Sequence, residues 1–483
     1  MAKRLGRAIL LAGIGLAAAP ALADDLREAL VMAYNTNPNL QAARAQQRAV
    51  DAGVPIARAA SLPTLSGSAA HTEFVKRSAQ TVGGPLGGPE RASSADLQAG
   101  MPLYAGGGIR NSISAAKTRV DAGRADLRAA ETEVFSQAVA AYMDVILGQA
   151  VVGLNKGQVG VLEVNLQATR DRFEIGDLTR TDVAQSQARL SLARGQARSA
   201  EAQLVAARER YIAVIGKEPV DLQQPPPLPG LPADVETAVQ VALDSNPDLI
   251  AARQRSKAAG FDSKAAGAGR LPRISVFAGA DYTDYHDTLG GGSAAINQSA
   301  TTAQAGVRAS IPLFQGGLPA AQRRQAQARE SATLEQEIAV ERQVISGVRA
   351  AYASWQASRE IIDSSQSAVD AAKLSLEGVK AENTVGNRTI LDILNAEQEL
   401  LNAQVQLVTA QRNSYVAGFN LLAAMGKAEA RDLALEGGAL YDPVANYDRV
   451  SGNIWDWASD PAPKPQSTRT VDTKAQDGTV TSK

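Results

Sequence analysis

The chain has 483 residues, 45% hydrophobic but only 4% aromatic, with 49 Lys+Arg against 50 Asp+Glu, two His and no Cys. The absence of cysteine excludes disulfides, thiolate zinc sites, cysteine nucleophiles and a lipidated N-terminal cysteine. A net charge of −1 with no basic cluster leaves no electrostatic footprint for nucleic acid. An apolar fraction carried by alanine, with 7 Phe, 10 Tyr and 3 Trp, fills thin helix-on-helix contacts better than thick globular cores.

Taken in chain order, Lys3, Arg4 and Arg7 precede an apolar run from Ala8 to Ala19 and then Ala21-Leu22-Ala23, so residues 1–23 read as a signal peptide cleaved before Asp24. No later segment reads as an 18-residue apolar span, and any membrane insertion is therefore expected to use strands. Residues 24–223 form a first unit, with helices expected near 26–60, 109–174 and 179–215 and strands near 63–74 and 95–104. A proline-rich linker, 224–233, follows. The second unit, 234–427, has helices expected near 234–267, 318–384 and 389–425 and strands near 273–285 and 302–313. A C-terminal segment, 428–460, precedes a tail, 461–483, whose Pro, Thr, Lys and Asp lack periodicity and read as disordered.

The two units are copies of one another. NPNLQAAR at Asn37–Arg44 matches NPDLIAAR at Asn246–Arg253, and Leu62-Pro63 matches Leu271-Pro272, both 209 residues on. The register then moves by one. MPLYAGG at Met101–Gly107 matches IPLFQGG at Ile311–Gly317, Ala141-Tyr142 matches Ala351-Tyr352, Gly176 matches Gly386, and Gly216-Lys217 matches Gly426-Lys427, all offset by 210. The period is too long for a solenoid repeat, so this is a duplicated half-protein.

Each long helix carries a seven-residue seam: Ala138, Val145, Val152, Val159 and Leu166 in the first unit, and Val348, Trp355, Ile362, Val369 and Leu376 in the second. The strands alternate instead. Ile274, Val276, Ala278, Ala280 and Tyr282 share one face of the third, and Ala303, Ala305, Val307, Ala309, Ile311 and Leu313 one face of the fourth. The connecting loops, GGPLGGP at Gly83–Pro89 and LGGGS at Leu289–Ser293, are polar. Four strands of membrane-spanning length cannot close a barrel, and open edges cannot lie in lipid, so closure must come from further copies. Topology alone leaves the number of copies open.

These features resemble the TolC family of outer-membrane channel-tunnel proteins over the mature chain to about residue 460. The residues carrying the likeness are the paired NP motifs at Asn37 and Asn246, the paired P-L-[YF]-x-G-G junctions at Pro102 and Pro312, and the turns FEIGDLTRTDV, Phe173–Val183, and NTVGNRTILDILNAE, Asn383–Glu397. The resemblance implies a mainly α protein with membrane β: a homotrimer whose 12-stranded outer-membrane β-barrel continues into a 12-helix periplasmic α-barrel. It also implies an equatorial position for residues 428–460, and docking to a periplasmic adaptor and an inner-membrane transporter. Leu440-Tyr441-Asp442-Pro443, Asn446-Tyr447, Val450 and Trp455 resemble the branch serving type I protein secretion, where the transporter is of the ATP-binding cassette type.

The resemblance also implies roles for particular residues. Asp392 matches the aspartate of the gate constriction, while the second constriction aspartate is Asn395 here. Arg388 matches the tip arginine that latches onto a pair matched by Thr181 and Asp182, and the tyrosine that joins this latch is matched by Asn383. Gly176, Gly386, Thr179, Val385 and Thr389 fall on the surface that docks the adaptor.

Other chemistry fails on inspection. Gly106-Gly107-Gly108 lacks a following Gly-Lys-Ser/Thr, His71 and His286 are not equivalent positions of the two units, and no carboxylate pair is fixed by a motif. Trp455 and Trp457 could pack on the tunnel or face the membrane. The expectation is a non-enzymatic exit duct without cofactor or metal, for type I secretion. A multidrug-pump duct and a soluble periplasmic coiled-coil scaffold are the rivals, and a hydrolase comes last.

Overall fold

The computed structural model describes residues 25–75, 88–289, 297–435 and 440–480; the expected signal peptide and most of both glycine-rich loops lie outside them. The expected first helix is three: α1 (Leu26–Thr36), α2 (Pro38–Asp51) and α3 (Gly53–Ala59). The strands β1 (Thr64–Glu73) and β2 (Arg91–Ala105) follow, then α4 (Gly108–Glu174) and α5 (Arg180–Ile215). The second unit repeats this with α6 (Val235–Ser245), α7 (Pro247–Gly267), β3 (Arg273–Asp284), β4 (Ser299–Ser310), α8 (Leu318–Thr384) and α9 (Ile390–Ala424); α10 (Pro443–Ser451) comes last.

The duplicated motifs are the corners of this fold. Pro38 ends α1 because it has no N–H to offer and occupies the first turn of α2, where none is needed. Asn37 Oδ1 accepts from the amides of Asn39 and Leu40 at 2.9 and 3.3 Å, and its Nδ2 donates to Val214 O, at the end of α5, at 2.9 Å. Asn246 repeats this on Asp248, Leu249 and Ala424 O, at the end of α9. The ends of α5 and α9 turn away through Gly216 (φ 90°) and Gly426 (φ 70°); a Cβ on Gly426 would stand 2.5 Å from Ser245 O. Each unit thereby closes its end onto its start.

The two glycines of each strand-to-helix junction, Gly106-Gly107 and Gly316-Gly317, are consecutive left-handed residues that turn the chain from β2 into α4 and from β4 into α8. The second helices are rods of 67 residues, each about 100 Å long at 1.5 Å per residue. Ala138, Val145, Val152 and Leu166 are buried along the α4 seam. Phe135 and Tyr142 join Leu30, Leu204, Tyr211 and Phe419 in the largest core, where α1, α4, α5 and α9 meet. One 18-residue window of α4 is apolar enough to cross a membrane by length and composition, contrary to the expectation of none after the signal. Such a window also suits the helix that passes through this core. The matched tyrosines tie down the two ends of the linker: Tyr142 donates to Gln223 O at 2.7 Å and Tyr352 to Ala233 O at 2.9 Å.

The four strands form one antiparallel sheet in the order β1-β2-β3-β4. β2 begins four residues before its expected start because its polar outer end still pairs with β1 from Arg91 and with β3 from Ser93, while β4 ends at Ser310, leaving Ile311 and Leu313 beyond it. Directly opposed residues share a face, so the register Leu65–Ala99–Ala278–Ala305, Gly67–Leu97–Ala280–Ala303 and Ala69–Ala95–Tyr282 lays an apolar band across all four strands. The other face carries Ser68, Asp96, Asp281 and Thr302 in one row. β1 is exposed along its whole length and β4 along nearly all of it.

The copies differ in burial. α4 is flanked by α5, α7 and α9, whereas α8 touches α9, α7 and α6 and leaves Leu334, Ile338, Ile361 and Leu374 exposed. Of its heptad residues only Val348 and Leu376 are fully buried; Trp355, Ile362 and Val369 are half-covered. The sheet edge β4 and the helix that follows it are therefore bare together.

Within the tail expected to be disordered, residues 474–479 lie against α5 and the segment just after it. Arg208 donates to Asp477 O and Thr479 O at 2.6 and 2.9 Å, and the carboxylates of Glu218 and Glu209 accept from the amides of Lys474 and Gln476. Backbone groups rather than apolar periodicity hold this strap, which is why its composition conceals it.

Candidate functional site

At the end of the helices far from the sheet, α4 turns into α5 and α8 into α9 through two nearly identical loops. Gly176 (φ 83°) and Gly386 (φ 84°) take the left-handed conformation that ends each long helix, with the amide of Asp177 donating to Arg172 O and that of Asn387 to Glu382 O. A Cβ at either glycine would meet nothing within 4 Å, so backbone conformation and not internal crowding explains the missing side chain there. The neighbouring Ile175 and Val385 are 80% and 70% exposed.

The next helix starts on a capping box. Thr179 Oγ1 accepts from the amide of Asp182, and Asp182 Oδ2 accepts from the amide and hydroxyl of Thr179 at 2.9 and 2.7 Å. Thr389 and Asp392 repeat this at 2.9 and 2.8 Å. These bonds favour the ionised carboxylates: the Thr179 hydroxyl and amide hold Asp182 below the usual aspartate range, and the Thr389 amide and hydroxyl do the same for Asp392. Because both threonine hydroxyls are engaged, their methyl groups and the Ile175 and Val385 side chains are the free apolar surface around the two glycines.

Arg388 donates to Glu382 Oε2 at 2.7 Å, and Asn383 Nδ2 donates to Arg388 O at 2.7 Å. Within the chain, therefore, Arg388 is bonded inside its own turn and not to Thr181 or Asp182. Asn395, one turn beyond Asp392, accepts from Arg189 of α5 at 2.7 Å and so joins the two hairpins. Deeper still, Glu397 is 3% exposed and accepts from Asn165 of α4 at 2.9 and 3.0 Å, with Lys380 of α8 at 3.3 Å.

Sequence reasoning missed Ile175, Arg189 and Glu397. The 210-residue offset could have found two of them: Ile175 is the counterpart of Val385, and the Lys380–Glu397 pair is the counterpart of Arg170 and Gln187, which are bonded at 2.9 Å. Arg189 matches Glu399 and carries no such signal. Among the described residues no group of three or more His, Cys, Asp or Glu stands ready for a metal ion.

The model of the outer membrane efflux protein family matches residues 29–217 and again 238–427, one match for each unit. The chain belongs to this family. Its efflux-protein relatives include the outer membrane efflux protein BepC of Brucella suis biovar 1, 33% identical over 92% of this chain and 94% of that protein. The outer membrane protein TolC of Escherichia coli is 27% identical over 63% of this chain and 64% of its own length. The alkaline protease secretion protein AprF of Pseudomonas aeruginosa is 27% identical over 64% of each. The fold is that of solved outer-membrane proteins: the outer membrane protein VceC of Vibrio cholerae superposes with a TM-score of 0.72 over 83% of this chain and 96% of that one, at 22% identity. The TolC-like fold expected from the paired motifs is thus present, and this efflux-family chain is an outer-membrane export protein.

Proposed function

We propose that the chain is the exit duct of a tripartite export machine, three copies of which close one barrel in the outer membrane and one tunnel beneath it. The observation that carries this reading is the coincidence of two bare edges: a four-stranded sheet with an apolar face and unpaired borders, continuous with a helical layer whose α8 flank is equally unpartnered. Two copies would give eight strands and a filled interior, whereas three give twelve strands, twelve helical segments and room for a passage. The sequence carries no nucleotide-binding motif at Gly106–Gly108, and the duct would take its energy from an inner-membrane partner through a periplasmic adaptor.

The adaptor would dock on the glycine turns, where Gly176, Gly386, Thr179, Val385 and Thr389 leave backbone and methyl groups open. Threefold symmetry would bring three Asp392 carboxylates together as a cation-selective constriction, with Asn395 contributing no second charge. Arg388 would latch the closed tip by exchanging Glu382 for Thr181 and Asp182 of a neighbouring copy. For cargo, the C-terminal pattern from Leu440 to Trp455 and the likeness to AprF support type I protein secretion by an ATP-binding cassette transporter. The nearly full-length likeness to BepC favours a second reading, efflux of small molecules.

Planar-bilayer conductance of the detergent-purified mature protein, with its mass measured on the same sample, tests the duct. A trimer with small, cation-selective currents blocked by trivalent cations is expected, and Asp392→Asn, which keeps the helix cap but removes the charge, weakens that block. A soluble monomer without current would replace the duct by a periplasmic scaffold. In a deletion strain, loss of one secreted protein and loss of drug resistance separate the two cargo readings.

A further inference from the structure

The two histidines of this chain come from different units and non-equivalent positions, yet they meet at the outer end of the sheet. His71, Ser93 and Asp284 form one register row across β1, β2 and β3, just beyond the last apolar row of Ala69, Ala95 and Tyr282. His71 Nδ1 stands 2.9 Å from Ser93 Oγ, and His286 Nε2, from the turn after β3, stands 2.7 Å from the same oxygen. The two rings are 5.6 Å apart, edge to face.

The turn that carries His286 is held for this placement. His286 and Asp287 both have left-handed backbone, φ 50° and 58°, which is uncommon for residues other than glycine and persists where surrounding bonds fix it. Here the amide of His286 donates to Asp284 Oδ1 at 2.9 Å, while Thr288 Oγ1 accepts from the amides of Glu90 and Arg91 at 3.1 and 3.2 Å. Two imidazole nitrogens are consequently aimed at one point from two hairpins.

We propose that His71 and His286 form a divalent transition-metal site that ties the first hairpin to the second at the outer rim. Zinc–imidazole bonds are about 2.0–2.1 Å, so an ion held between the two nitrogens takes the place of the Ser93 hydroxyl as their shared partner: Ser93 turns to another rotamer, and small rotations of the two exposed rings bring the nitrogens into range. Nitrogen ligands select zinc, nickel or copper over magnesium or calcium. With two protein ligands, water completes the shell, and the ion exchanges instead of being locked in as it is at a closed four-ligand site.

The test uses the untagged, detergent-purified mature protein. Zinc titration by calorimetry is expected to give one ion per chain, with His71→Ala and His286→Ala each lowering affinity at least tenfold and Ser93→Ala retaining it. With copper bound, the electron paramagnetic resonance spectrum should carry superhyperfine coupling from two imidazole nitrogens, reduced to one in either histidine variant. All three residues are at the surface, and unchanged circular dichroism and elution volume confirm that the variants fold. The proposal is overturned if the wild type binds no ion at ~0.1 mM, where binding would be worth less than about 5.5 kcal/mol, or binds no better than the double variant H71A/H286A. It also fails if only one of the two histidines matters, since a lone imidazole joins nothing.

Discussion

At the scale of single residues, the carboxylates with shifted pKa fall into two kinds with opposite pH behaviour. Asp182 and Asp392 have folded pKa values held below the ordinary 3.8, chiefly by bonds from Thr179 and Thr389. Their contribution is complete above that ordinary value and is lost as pH falls through the depressed folded one. Amide exchange at the starts of α5 and α9 should therefore accelerate selectively in strong acid, and equal acceleration along the whole helices would contradict the capping role. Glu131 of α4 is the converse: burial raises its pKa, against the lowering effect of the Ala430 amide it accepts at 2.6 Å. Its stabilising protonated form is present below the unfolded value near 4.5 and is lost as pH rises through the raised folded one. Glu131→Gln, which keeps an acceptor for Ala430, should raise the melting temperature at pH 8 and leave it nearly unchanged at pH 4. A uniform shift at both would show that charge is not the cause.

At the scale of elements, Glu397 joins three helices near the tip, and its removal leaves the half-buried Asn165 without its acceptor. Glu397→Ala should cost about 1–3 kcal/mol and Glu397→Gln less, because the amide oxygen still accepts from Asn165; thermal unfolding of both variants measures the difference. A similar loss from the two would place the stabilisation in the Lys380 pair instead. The elements themselves were largely legible. Heptads run through the middle of α4 and α8, and turn glycines mark both of their ends, so those bounds fall within a residue of expectation. The breaks at Asn37 and Ala52 were not read, although Pro38 sits directly in the first, because the alanine-rich composition on either side looks uniformly helical. For the candidate site, the chain reversals at Gly176 and Gly386 were legible, whereas the caps made by Thr179 and Thr389 were not read. Arg189 was not, because its partner Asn395 lies 206 residues away and has no periodicity to announce it.

At the scale of the whole molecule, the tail and the duplication matter most. The strap of residues 474–479 was illegible because its main-chain groups are bound by Arg208 and Glu209 on α5 and by Glu218 just after it, more than 250 residues earlier in the chain. Arg208→Ala should speed proteolysis at Lys474 while leaving the unfolding of the core unchanged, and an unchanged cleavage rate would mean that the glutamates alone suffice. The asparagines at 37 and 246 have a wider implication. Each binds the final turn of its own unit, so the entry and exit of a unit of some two hundred residues lie side by side. A module shaped in this way can be copied in tandem with only a short connector and no rethreading. The ancestry of the fold is written in that geometry, and so is its divergence, since one descendant helix became the covered spine and the other kept an open flank.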